Sequence, residues 1–188
     1  RHADVYLAWG EPPEMVAPRV ARVRELAQAP GRSVRFGIRL HVITRDRAQD
    51  AWAETERFLD SLPKDTLDLA QSQLGKSQSV GQQRMQSLHG GRREDLVVAP
   101  NLWAGIGLVR GGAGTALVGS HDEVAERIAE YHQLGFDELI LSGHPHLEEA
   151  YAFGEGVIPR LQRAGLVAVP ERGPGHGQGD TMIPIAAR

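Results

Sequence analysis

Residues 34–42 read Val-Arg-Phe-Gly-Ile-Arg-Leu-His-Val, a stretch in which apolar residues alternate as they do in a half-buried β-strand. Successive side chains on a strand point to opposite faces, so one face is apolar and the other carries Arg39 and His41. In parallel α/β proteins, side chains at the carboxyl ends of strands build the active site. We therefore take Arg39 and His41 as the first candidates for chemistry. The alternative is an edge strand whose arginine and histidine are merely solvated.

Strand and helix patterns alternate on both sides of this stretch. The predicted strands are 4–9, 34–43, 116–119 and 136–141, and the predicted helices end near residues 30, 62, 135 and 164. Four βα units in this order predict a parallel sheet with helical crossovers, which is half of a TIM (β/α)8 barrel. The predicted fold class is α/β, with a TIM-type barrel to which residues 1–166 contribute about four units. A flavodoxin-like open sheet remains the structural alternative, although residues 10–13 do not resemble a phosphate loop.

The ends of the chain differ in character. The chain lacks an initiating Met and begins almost directly with a predicted strand, so we expect further βα units ahead of it. Residues 167–188 are rich in glycine and proline, and we expect a flexible tail because such a composition buries little apolar surface.

Residues 63–115 interrupt the βα pattern. This insertion carries many glutamines (Gln71, Gln73, Gln78, Gln82, Gln83 and Gln86) and ends in a glycine-rich segment at 105–114. Long insertions of this kind are commonly functional, so the segment is predicted to be a lid; a disordered surface insertion is the alternative. The glycines do not have the spacing of a dinucleotide-binding loop and instead suggest backbone that approaches a ligand.

Composition excludes several classes of protein. The formal charge is −3 and no Lys/Arg cluster is present, which argues against a nucleic-acid partner. The chain has no cysteine, so it contains no disulfide and no thiolate metal site, and we expect a cytoplasmic location. No apolar run approaches ~18 residues, so no membrane span is predicted.

Several long strings resemble the alkanesulfonate monooxygenases, a group within the bacterial luciferase-like flavin monooxygenases. The strings lie at 6–13 (Tyr-Leu-Ala-Trp-Gly-Glu-Pro-Pro), 35–42, 79–85 (Ser-Val-Gly-Gln-Gln-Arg-Met), 100–105 (Pro-Asn-Leu-Trp-Ala-Gly), 107–119 and 145–151. The resemblance spans about residues 1–166 and covers the C-terminal half of the family's chain. It implies a TIM-type barrel and an enzyme that uses FMNH2 and O2 to convert an alkanesulfonate to an aldehyde and sulfite. It implies that no metal is needed, since the flavin carries the oxygen chemistry. It also implies an NAD(P)H-dependent FMN reductase as partner and a homo-oligomer, with a tetramer as one option.

The resemblance also assigns site residues. Arg39 and His41 match the family's active-site Arg and His, and Arg110 matches the lid arginine that closes over reduced flavin and substrate. His144, in Ser-Gly-His-Pro-His, stands where the family commonly has Tyr, so substrate preference or pH optimum is expected to differ. The remaining histidines at 89, 121, 132 and 176 are expected to be solvated.

Two alternatives stay open. One is another luciferase-like flavin monooxygenase that acts on a short sulfonate or a sulfone. The other is a truncated half-barrel without turnover, because a fragment that lacks half of the cofactor site is expected to be inactive by itself.

Overall fold

The computed structural model describes residues 2–168. The strands are β1 (Val5–Trp9), β2 (Arg35–Arg45), β3 (Val97–Ala99), β4 (Leu102–Trp103), β5 (Ala116–Ser120) and β6 (Glu138–Ser142). The α-helices are α1 (Pro13–Gln28), α2 (Ala48–Asp60), α3 (Lys64–Leu74), α4 (Val80–Ser87), α5 (His121–Gln133), α6 (His146–Tyr151) and α7 (Ile158–Arg163). A 3-10 turn covers Gly105–Leu108, and a π-helical segment, Ala152–Val157, joins α6 to α7.

Strand β2 is the centre of the sheet and pairs in parallel with three other strands. β1 lies along Arg35–Arg39 and β5 along His41–Arg45. The two share one edge of β2, because Gly10 donates to the Arg39 carbonyl and the His41 amide donates to the Thr115 carbonyl. β6 occupies the opposite edge along 37–41, and β4 and β3 continue the sheet beyond β5 in antiparallel pairing.

The α/β class and the parallel pairing of β1, β2, β5 and β6 agree with the prediction. The order of the strands in the sheet, however, differs from that of a TIM barrel. Consecutive strands are neighbours in a complete TIM barrel. Here β6 follows β5 in the chain but lies beside β2. With β1 and β5 both on one edge of β2, the other edge would offer unpaired backbone groups, and β6 satisfies them.

The two faces of β2 contribute to two hydrophobic cores. The predicted apolar face packs against α1, α5 and α7 in a core that includes Phe36, Ile38, Leu40, Val42, Val16, Val20, Val124, Ile128, Tyr131 and Leu161. On the opposite face, Ile43 packs with Ala116 and Val118 of β5 against α2. The alternation predicted from residues 34–42 is therefore present, and it places Arg39 and His41 on the face away from α1 and α5.

Local signals explain how α5 begins and ends. The Ser120 hydroxyl accepts from the Glu123 amide, and the Glu123 carboxylate accepts from the Ser120 amide, so the predicted capping box is confirmed. Gly135 follows the helix with a φ of 104°, a conformation that favours glycine. This helix sets the geometry that leads into β6.

The insertion is ordered into helices, but α3 buries none of its side chains. Within residues 2–168, no helix is long and apolar enough to cross a membrane. Most of the predicted tail, from residue 169 onward, lies outside the described residues.

Candidate active site

Arg39 and His41 lie in the middle of β2, not at its carboxyl end as predicted, because the strand continues to Arg45. The neighbouring strands nevertheless end at this level. Arg39 is the register partner of Trp9, the last residue of β1, and His41 is the register partner of Ser142, the last residue of β6. The two side chains therefore stand where two neighbouring strands give way to loops, which is the kind of position at which α/β proteins build sites.

The ring of His41 is buried and has no side-chain hydrogen-bond partner among residues 2–168. Only 5% of the residue is exposed. Burial lowers the pKa of His41 to about 4, and the positive charge of Arg110 is the next cause. Hydrogen bonding to the backbone of Ala113 raises the pKa, while the charges of Arg39 and His144 lower it further. His41 is therefore neutral at pH 7.

The same interactions show that the four predicted site residues converge. Arg39, Arg110 and His144 come from β2, the glycine-rich loop and the segment after β6, and all three act electrostatically on His41. The Nε atom of Arg39 is buried and has no partner, whereas Arg110 and His144 are exposed. The site thus combines a positive potential with unpaired donors, which suits an anion that carries several oxygens.

A closed loop presents Arg110. The Gly107 amide donates to the Gly114 carbonyl at 2.9 Å, so the two ends of the loop meet. A Cβ at Gly114 would lie 2.6 Å from the Gly107 Cα atom, which explains why glycine is needed at this close approach. Arg110 is near the middle of this loop, between its two joined ends.

The insertion is attached to the sheet by a buried carboxylate that sequence reasoning did not single out. Glu11 is 1% exposed and accepts from both terminal nitrogens of Arg19, at 2.9 and 2.6 Å. Arg84 of α4 donates to the same carboxylate at 3.0 Å. Nothing in the local sequence marks Glu11, because its partners are separated from it by 8 and 73 residues.

Two histidines that were predicted to be solvated are buried, so that prediction was wrong. His89 is 2% exposed and accepts through Nδ1 from the Gly91 amide. His121 is 7% exposed; its Nδ1 lies 2.8 Å from the Thr44 hydroxyl, and its Nε2 lies 3.3 Å from Asp46. Both rings are covered by segments distant in sequence, which a local pattern does not reveal. His176 lies outside the described residues.

A model of the luciferase-like monooxygenase family matches residues 1–138. The chain belongs to the luciferase-like monooxygenase family. The match includes β1 to β5 and therefore covers Arg39, His41 and Arg110 within one family domain. His144 follows the matched region.

Solved structures share the fold of this luciferase-like monooxygenase chain. Riboflavin lyase (RcaE), solved with modified FMN and riboflavin, is 20% identical with a TM-score of 0.67, over 93% of this chain. DmoA from Hyphomicrobium sulfonivorans is 21% identical with a TM-score of 0.62, over 87% of this chain. Long-chain alkane monooxygenase (LadA) is 19% identical with a TM-score of 0.63, over 92% of this chain. The aligned chain spans only 38–42% of the length of these proteins.

Proposed function

We propose that the full-length protein is an FMNH2- and O2-dependent monooxygenase that cleaves the C–S bond of an alkanesulfonate. The observation that carries this proposal is the convergence of Arg39, Arg110 and His144 around the neutral, buried ring of His41. Membership in the luciferase-like monooxygenase family supports the reaction class. The resemblance of several sequence segments to alkanesulfonate monooxygenases supports the substrate class.

The proposed substrate fits the charges of the site. A sulfonate is anionic at every physiological pH, and its three oxygens match the directed donors of a guanidinium group. Arg39 has a buried Nε–H without an acceptor among residues 2–168, and Arg110 adds a second guanidinium close enough to act on His41. An anion held between them would satisfy donors that otherwise remain costly to bury.

The proposed reaction balances as RCH2SO3⁻ + FMNH2 + O2 giving RCHO + HSO3⁻ + FMN + H2O. The C–S bond breaks, one oxygen atom enters the aldehyde and the other leaves as water. Reduced FMN, when bound, supplies the two electrons that activate O2. The chain's own residues bind the sulfonate, exclude water and manage protons around the carbon that loses sulfur.

The residues of this chain fit part of a flavin site. The buried ring of His41 lies near the backbone of Ala113, in the glycine-rich loop that carries the exposed Arg110, and Arg39 adds a buried, unpaired Nε–H. Arg110 would hold the flavin together with the substrate, since a flexible cationic side chain at a loop tip can reach both. Closure of this loop with the insertion would keep water from the reacting groups.

The neutral state of His41 determines what its ring can do. A ring whose pKa is about 4 carries no proton to donate as an acid at neutral pH, but it can accept one. A sulfonate between Arg39 and Arg110 would offset their charges and raise the pKa of His41. His41 is thus suited to take up a proton once the anionic substrate is bound, and this assigns it the role of base or hydrogen-bond partner.

The proposal includes a separate NAD(P)H-dependent FMN reductase and a homo-oligomer. Sulfite release by the full-length protein from a panel of short and long alkanesulfonates, with reduced FMN and O2, tests it. Dimethyl sulfone is assayed in parallel by formaldehyde release, because cleavage of one of its C–S bonds leaves methanesulfinate and not sulfite. We expect one sulfite per FMNH2 oxidised with a sulfonate, and none without O2. Turnover of dimethyl sulfone alone would replace the substrate class, and no sulfite from any sulfonate would overturn the proposed function.

A further inference from the structure

Two glutamines of the insertion contact the loop that carries Arg110. The Nε2 atom of Gln71, on α3, donates to the Leu108 carbonyl. The Oε1 atom of Gln82, on α4, accepts from the Gly112 amide at 2.9 Å. Each contacted backbone group is two residues from Arg110, one on either side.

These contacts use opposite ends of the carboxamide, which makes each glutamine specific for its place. A carbonyl must receive a donor, so the NH2 group of Gln71 faces Leu108; an amide must find an acceptor, so the oxygen of Gln82 faces Gly112. Leu108 and Gln82 are 0% and 5% exposed, so water is poorly placed to substitute for either contact. The side chains of a glycine-rich loop cannot provide these hydrogen bonds themselves.

Helix α4 is itself held against the candidate site. A Cβ at Gly81 would lie 3.0 Å from the ring of Trp9, the residue beside Arg39 in the sheet. Three positions further on, Arg84 binds the buried carboxylate of Glu11. Gln82 therefore extends from a helix that is fixed near Arg39 to the loop that carries Arg110.

We propose that Gln71 and Gln82 are positioning residues that set where Arg110 lies relative to Arg39 and His41. The expected effect on enzyme kinetics rests on the proposed function, whereas the two hydrogen bonds are observed independently of it. When the Arg110 loop closes over a ligand, α3 and α4 would then move with the loop as one unit.

Hydrogen exchange at the Gly112 amide tests the positioning without any activity. Gln82→Met should speed this exchange about tenfold, because one buried hydrogen bond is lost. Gln82→Glu keeps an acceptor oxygen and should retain the protection. Gln83→Met is the matched control on the same helix: its carboxamide is exposed and donates to the Ser77 carbonyl, not to the Arg110 loop, so the change should leave the exchange of the Gly112 amide unaltered. Equal exchange in the parent protein and Gln82→Met would overturn the inference.

A kinetic cycle on the full-length protein tests whether the glutamines act through Arg110. Gln71→Met and Gln82→Met should each raise KM for octanesulfonate about three- to tenfold, while Gln73→Met, an exposed control on α3, leaves it unchanged. In an Arg110→Ala background the same changes should have no further effect. Independent, multiplying effects would refute the positioning role. If the parent protein releases no sulfite, the proposed function fails and the Gly112 exchange alone decides the inference.

Discussion

Acid should destabilise this protein through His41, and the size of the effect follows from its burial. An unfolded histidine binds a proton near pH 6.5, whereas in the folded protein burial and the charge of Arg110 lower the pKa of His41 to about 4. Between these values the unfolded state binds more protons, so stability falls as the pH falls through this window. A difference of about 2.5 pKa units corresponds to about 3 kcal/mol, which is an upper value for the loss at pH 4.

Urea denaturation followed by tryptophan fluorescence, between about pH 7.5 and 4, measures this loss. The parent protein is compared with His41→Gln, in which residue 41 cannot titrate. Between about pH 7.5 and 4, the free energy of unfolding of His41→Gln should therefore fall by about 3 kcal/mol less than that of the parent protein. Buried His89 and His121 are present in both proteins and cancel from the difference. His2→Gln, at an exposed position, is the control and should behave as the parent does. Parallel pH profiles for the parent and His41→Gln would refute the reasoning.

Two further substitutions test the Arg110 loop and the buried Glu11 carboxylate separately. Arg110→Ala in the full-length protein should raise H2O2 release per FMNH2 oxidised and lower the sulfite yield, because the loop closes less well over the site. Arg92→Ala changes an exposed residue of the same insertion and should leave both quantities unchanged. Equal ratios of H2O2 to sulfite in the two variants would contradict the role of Arg110 in loop closure. Glu11→Gln should lower the free energy of unfolding by about 3 kcal/mol, since two arginines lose a buried carboxylate. Glu25, which forms an exposed ion pair with Arg22, provides the control: Glu25→Gln should lower the free energy of unfolding by less than about 1 kcal/mol in urea denaturation. Similar losses of stability in Glu11→Gln and Glu25→Gln would show that burial of Glu11 is unimportant.

The parts of the fold that could be predicted are those with a local signal. Alternation along residues 34–42 separated the core-facing side chains from Arg39 and His41, and the Ser120–Glu123 capping box marked the start of α5. Both depend on residues within a few positions of one another, where geometry follows from strand or helix periodicity.

The parts that could not be predicted depend on long-range contacts. The place of β6 beside β2 is decided by which strand edge remains unpaired, and a strand pattern contains no information on its neighbour. Burial of His89 and the partners of Glu11 likewise come from segments distant in the chain. The convergence of Arg39, His41, Arg110 and His144 was expected from the family resemblance, but only the structure shows that no side chain of the described part of the chain hydrogen-bonds to the ring of His41.

The most direct test of the central claim is the kcat/KM for sulfite release by Arg39→Ala in the full-length protein. Loss of charged hydrogen bonds to a bound anion should lower this value about 10- to 100-fold, because such bonds contribute about 1.5–3 kcal/mol. Stability should change little, since no packed apolar side chain is removed. Arg35→Ala removes a more exposed arginine from the same face of β2, where it pairs with Glu138, and should leave kcat/KM unchanged. Equal sulfite release by the parent protein and Arg39→Ala would contradict the assignment of this basic cluster as the active centre.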